Sequence, residues 1–131
     1  MKNYSSLLVA NRGEIASRIF RTANKMGLRT IAIYTEADRH SPYINDADTA
    51  IMIETSYLDM EAILTALDLS SAEAIHPGYG FLSENHIFAE KIQSKGIIWV
   101  GPNADAIRIM GDKIEAKKYA KEANLPILES V

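Results

Sequence analysis

The chain has 131 residues, 47% of them apolar, with 14 Lys and Arg against 17 Asp and Glu for a net charge of -3. That length supports one core and not two full domains, and so apolar a composition with 4 Pro excludes a disordered or fibrous chain. The lack of cysteine excludes disulfides, cysteine-ligated metals and thiol nucleophiles; no apolar run is long enough to span a bilayer and no signal-peptide pattern opens the chain, so a soluble, intracellular protein is expected.

Short apolar runs alternate with amphipathic stretches. Ser6–Ala10 is a strand candidate that enters a turn at Asn11-Arg12-Gly13. Ile15, Ala16, Ile19, Phe20, Ala23 and Met26 then recur at helical spacing, with Gly27 placed to end the helix. Thr30–Tyr34 is the second strand, and a polar stretch over 36–48 connects to a third at Ala50–Ile53. Ser56-x-x-Asp59 reads as a capping box for a helix that turns Met60, Ile63, Leu64 and Leu67 inward. Glu73–Ile75 is a fourth strand, followed by the turn His76-Pro77-Gly78-Tyr79-Gly80. Ser83 is expected to cap a helix with Ile87, Phe88 and Ile92 inward and Gly96 as its stop, and Ile97–Val100 is the fifth strand. A short helix from Asn103 to Met110, a break at Gly111 and a second helix capped by Asp112 are expected next, with a weak strand at Pro126–Leu128. Strands separated by helices imply an α/β fold: an open, doubly wound, mainly parallel sheet covered on both faces. Its ligand edge lies at the carboxyl ends of the strands.

Charge is uneven along the chain. Residues 1–35 carry six basic side chains against Glu14 alone, whereas residues 36–90 carry eleven acidic ones against Arg39 alone. No Lys/Arg block interleaved with aromatics occurs, so no nucleic-acid partner is expected. Nor is there an H-E-x-x-H or calcium-loop spacing, so no metal site is assigned.

Two turns each follow a strand and precede a helix. In Asn11-Arg12-Gly13-Glu14 a single glycine is weak evidence for a dinucleotide site, but the helix start suits an anion and Arg12 is able to support one. Glu14 also has a sufficient structural role against the helix dipole, so an anion site and a structural turn both stay open. In the second turn Gly78 and Gly80 let backbone approach a ligand, with His76, Glu84 and Asn85 nearby. A tight structural turn is the plainer alternative. Lys113, in the first turn of an expected helix, opposes the dipole and is a mild candidate for a phosphate contact.

The segments LLVANRGEIASRIFRTANKMGLRTIAIY, EAIHPGYGFLSEN and GPNADAIRIMGDKIEAKKYAKEANLP together resemble the N-terminal domain of biotin carboxylase, the ATP-dependent component of acetyl-CoA, propionyl-CoA, methylcrotonyl-CoA and pyruvate carboxylases. The resemblance runs from about Leu7 to Pro126. It implies a Rossmann-like domain over 1–110 and, over 111–131, a terminal helix starting the connection to an ATP-grasp region beyond the chain. The implied enzyme uses ATP and magnesium to activate bicarbonate and carboxylates biotin on a carrier. It implies further that His76, Gly78, Gly80, Glu84 and Asn85 border the reaction cleft and that Lys113 approaches the nucleotide phosphates. Arg18, Arg21 and Lys25 become candidates for a homodimer interface, although Lys25 stands where some relatives carry an acid. Tyr43 stands where a histidine is common, and the segment around Glu54-Thr55 is shorter than usual.

The implied partners are the ATP-grasp region, a biotin carrier and a carboxyltransferase, in the cytoplasm or, for a eukaryotic protein, the mitochondrial matrix. The chain alone is expected to be inactive and to hold no cofactor tightly. The alternatives are a stand-alone nucleotide-binding or protein-interaction module, or the first domain of another ATP-grasp ligase.

Overall fold

The computed structural model describes residues 4–122 of the chain. Five strands, β1 (Ser6–Val9), β2 (Arg29–Tyr34), β3 (Thr49–Met52), β4 (Ala74–His76) and β5 (Ile98–Trp99), form one sheet in the order β3-β2-β1-β4-β5. Every pairing is parallel. Among the described residues four α-helices accompany the sheet: α1 (Gly13–Lys25), α2 (Met60–Ser70), α3 (His86–Ser94) and α4 (Ala104–Glu122).

Alternate residues of each strand feed opposite faces. Leu8, Ile31, Ile33 and Ile75 pack with Ile63 and Leu67 of α2, Phe88 and Ile92 of α3, and Ile107 of α4. Leu7, Val9, Ala32 and Ala74 pack instead with Ala16, Phe20 and Ala23 of α1 and with Tyr43. The expected doubly wound α/β sheet is therefore the observed one: β1 is buried along its whole length because both its faces are covered, whereas the edge strand β3 is largely exposed.

Helix α1 ends as its sequence predicts. Gly27 takes φ +79°, its N–H donates to the Asn24 carbonyl at 3.0 Å, and the Leu28 N–H donates to that of Ala23 at 3.1 Å. This Schellman arrangement needs the left-handed conformation that glycine adopts without steric cost. The start signals shift by a few residues. Asp59, not Ser56, caps α2, its Oδ1 accepting from the Ala62 N–H at 3.1 Å. Asn85, not Ser83, caps α3, its Oδ1 accepting from the Phe88 N–H at 3.1 Å. Ile87 is consequently rotated outward and 49% exposed.

The expected break at Gly111 does not occur, and α4 runs through it as one helix. Asn103 caps it by accepting from the Ala106 N–H at 2.9 Å, and Arg108 reaches Asp105 and Asp112 along the same helix at 3.9 and 3.6 Å. A helical glycine costs only about 1 kcal/mol, which this cap and the buried Ala104 and Ile107 offset. Asp112 is an ion-pair partner rather than a cap, and Lys113 sits in mid-helix. The strand candidate at Pro126–Leu128 lies outside the described residues.

Candidate functional site

Strands β2 and β3 lie to one side of β1, and β4 and β5 to the other. The strand order reverses between β1 and β4, and in open α/β sheets the ligand crevice opens beyond the carboxyl ends of the strands at this switch point. Both glycine-bearing turns picked out in the sequence meet there.

Asn11 joins them. Its side chain is buried, and Nδ2 donates to the Pro77 carbonyl at 3.0 Å and to the Tyr79 carbonyl at 2.7 Å. Oδ1 accepts from the Arg12 N–H at 2.9 Å. Gly78 passes directly over this carboxamide at φ +68°, and its N–H donates to His76 Nδ1 at 3.0 Å. His76 must therefore leave Nδ1 unprotonated, and burial holds its pKa below the ordinary value, favouring the neutral ring.

Arg12 leaves the end of β1 toward Asp38, which follows β2 in a short 3₁₀ turn at Glu36–Asp38. Nε and Nη2 bind the two carboxylate oxygens at 2.6 and 2.5 Å, a bidentate pair. Tyr57 donates its hydroxyl proton to Asp38 Oδ2 at 2.6 Å. The guanidinium and this hydroxyl together overcome burial and lower the Asp38 pKa to about 2. The same pairing raises the pKa of Arg12.

The Tyr57 oxygen also accepts from the Thr35 N–H at 3.2 Å and lies 2.8 Å from the Tyr43 hydroxyl, which donates to the Ile33 carbonyl at 2.8 Å. Two hydroxyl protons thus serve three oxygen–oxygen contacts. The carboxylate, as the strongest acceptor, holds the Tyr57 proton, and Tyr43 divides its own between Ile33 and Tyr57. Burial raises both phenol pKa values, so both stay protonated. The stretch expected as a plain connection over 36–48 thereby supplies two buried site residues, Asp38 and Tyr43.

The remaining expected residues divide. Gly80 and exposed Glu84 lie along the second turn, and Glu84 lines a groove of about 290 Å³ with Ser83, Pro102, Met110, Gly111 and Ile114. Asn85 is occupied as the α3 cap, and Lys113 is exposed on α4. Gly13 begins α1, and Glu14 pairs with Arg21 at 2.8 Å on its exposed face, with Arg18 and Lys25 also exposed. Arg18 lines a separate groove of about 420 Å³ with Ile15, Ile19, Thr22, Met26 and His76. Ile15 and Met26, expected in the core, are 37% and 47% exposed at this groove.

Among the described residues no cluster of three or more His, Asp or Glu is arranged to hold a metal ion. Nor does any described helix have the length and apolarity to cross a membrane. Sequence reasoning missed Asp38 and Tyr57. A signal existed in the strand order: once β1 and β2 pair in parallel, Arg12 and Asp38 each follow a strand end on the same edge of the sheet.

Residues 3–107 match the family described as biotin carboxylase, N-terminal domain. The chain belongs to this family. The methylcrotonoyl-CoA carboxylase subunit alpha, mitochondrial, of Mus musculus is 49% identical over 130 residues, a match covering 95% of this chain and 18% of that protein. Biotin carboxylase 2 of Bacillus subtilis is 44% identical over 133 residues, covering 98% of this chain and 30% of that protein. A solved biotin carboxylase domain of a thermophilic 2-oxoglutarate carboxylase bound to bicarbonate superposes with a TM-score of 0.81 at 43% identity, covering 95% of this chain and 29% of that one. The chain thus spans under a third of the length of these relatives.

Proposed function

We propose that this chain supplies the amino-terminal α/β layer of a biotin carboxylase that carboxylates carrier-bound biotin with ATP and bicarbonate. Residues 1–110 form the domain proper, and 111–131 lead toward an ATP-grasp region. The observation that carries this reading is the crevice at the β1/β4 switch point, where buried Asn11 braces the His76–Gly80 turn from below. Its exposed rim, with Tyr79 and Glu84, is a surface for the remainder of an enzyme to close against.

The described residues do not by themselves fit ATP, magnesium or biotin: they include no clustered carboxylates for a cation, and Lys113 is a single exposed charge. Phosphoryl transfer needs several convergent positive groups or metal ions around the moving phosphoryl. In this reading Lys113, exposed in mid-helix, adds one charge to a phosphate site built mainly elsewhere. The chain's own contribution is to hold the crevice rim and to exclude water beneath it. Its partners are the ATP-grasp region, a biotin carrier and a carboxyltransferase, with exposed Arg18, Arg21 and Lys25 of α1 facing a second subunit. The mouse relative's mitochondrial description supports a mitochondrial location for a eukaryotic protein; a bacterial one is placed in the cytoplasm.

The test is a chimaera in which this chain replaces the matching segment of Bacillus subtilis biotin carboxylase 2. Bicarbonate- and biotin-dependent ATP hydrolysis is expected from the chimaera and not from the 131-residue chain. A folded but inactive chimaera, or turnover by the chain alone, overturns the reading.

A further inference from the structure

The contacts around the crevice close into a ring. Asn11 binds the carbonyls of Pro77 and Tyr79. Two residues on from Tyr79, the Phe81 ring meets the Tyr57 ring with centroids 5.4 Å apart and a 52° tilt. The Tyr57 hydroxyl binds Asp38, Asp38 binds Arg12, and the Arg12 N–H returns to Asn11 Oδ1. Phe81 holds φ +49°, a left-handed conformation that costs a residue with a Cβ and persists only where its surroundings compensate.

Tyr57 is the member that touches both halves. Its ring supports the strained end of the second turn, and its hydroxyl orients the carboxylate that fixes Arg12 beside the first. It also bridges the two core layers, because Tyr57 packs on the α2 face of the sheet and Tyr43, its hydroxyl partner, on the α1 face.

We propose that Tyr57 is a positioning residue for the crevice, coupling the turn after β1 to the turn after β4 so that the two are ordered together. For catalysis the inference rests on the biotin carboxylase reading above; for the coupling itself it does not. Tyr57 touches no reacting group and acts through Asp38–Arg12 on one side and Phe81 on the other.

The test uses the 131-residue chain and amide exchange followed by NMR. Tyr57→Phe keeps the ring on Phe81 and removes the hydroxyl; Ile63→Val, in the same core layer, serves as a control for general destabilisation. Tyr57→Phe is expected to speed exchange of the Asn11 side-chain amide and the Gly78 N–H about five- to tenfold, on the order expected for the net loss of one hydrogen bond. Ile63→Val is expected to leave the ratio of these rates to those of the β1 amides unchanged. Phe81→Leu, which breaks the ring from the other side, is expected to speed the same two groups, and its combination with Tyr57→Phe to give less than the product of the single effects. Exchange at Asn11 and Gly78 that is unchanged in both single variants, or that rises equally in the control, overturns the proposal.

In the chimaera, Tyr57→Phe is expected to lower kcat severalfold with KM for ATP unchanged. An unaltered kcat there overturns the catalytic half. An inactive unsubstituted chimaera counts against the functional reading alone, since the exchange data still decide the coupling.

Discussion

Gly78 lies so close to Asn11 that a Cβ added to it would stand 2.5 Å from Asn11 Nδ2 and 2.9 Å from Asn11 Cβ. The carboxamide is buried and bound to two carbonyls, so it has no room to retreat. Gly78→Ala therefore combines a left-handed φ with overpacking and is expected to destabilise the chain by about 3 kcal/mol. Gly80→Ala shares the positive φ but meets nothing within 4 Å, so about 1 kcal/mol is expected there. Asn11→Ala combined with Gly78→Ala should cost less than the sum of the two, because the clash disappears with the carboxamide. Urea unfolding of the four variants measures this, and equal costs for Gly78→Ala and Gly80→Ala would contradict the packing.

Asp38 gives the chain an acid dependence. Its side chain is 6% exposed while that of Arg12 is 49% exposed, so the carboxylate is the partner that depends on the pair. A folded-state pKa of about 2, below the ordinary 3.8, means that its stabilisation is complete above about pH 4 and is lost as pH falls through 2. The contribution is about 1–2 kcal/mol, reduced because Arg12 is half open to solvent. Asp38→Asn should lower the unfolding midpoint at pH 7 and flatten its decline between pH 4 and 2. A variant with the wild-type acid profile would show that the pair contributes nothing.

His76 has the opposite preference for charge. Burial lowers its pKa from 6.5, so the folded chain favours the neutral ring and the unfolded chain binds the proton more readily. Stability from this group is complete above pH 6.5 and declines as pH falls below it through the folded-state pKa. The imidazole resonances should titrate with a midpoint below 6.5, and the Gly78 amide should shift with the same midpoint because it donates to Nδ1 at 3.0 Å. A midpoint at or above 6.5, or a Gly78 amide indifferent to it, would remove the proposed tautomer.

Asn85 is expected to matter through its cap. Asn85→Ala should cost about 1 kcal/mol and a few degrees of Tm, whereas Asn85→Asp keeps an oxygen for the Phe88 N–H and should be nearly neutral. Thermal unfolding by circular dichroism distinguishes the two. Loss of chimaera activity in Asn85→Asp at unchanged stability would support a direct cleft role beside the cap.

Much of the fold was legible because it is local. Apolar runs marked all five strands, Gly27 and Gly96 marked helix ends, and the two glycine turns marked the crevice. Cap positions were less legible: Ser56 and Asp59, or Ser83 and Asn85, have similar capping chemistry, and only the path of the chain selects between them. At Gly111 a weak local penalty lost to a cap and to tertiary packing.

The sequence by itself determined the class of the fold, the family and the two turns that meet at the site, since periodicity, turn residues and motif spacing are properties of neighbouring positions. Only the tertiary structure decided what those turns touch. Asn11 reaches residues 66 and 68 positions away, and Arg12 finds Asp38 across 26. Such partnerships depend on the strand order, which places the end of β1 between those of β2 and β4. Burial then enforces them, because a carboxylate or carboxamide removed from water must find its donors and acceptors within the protein.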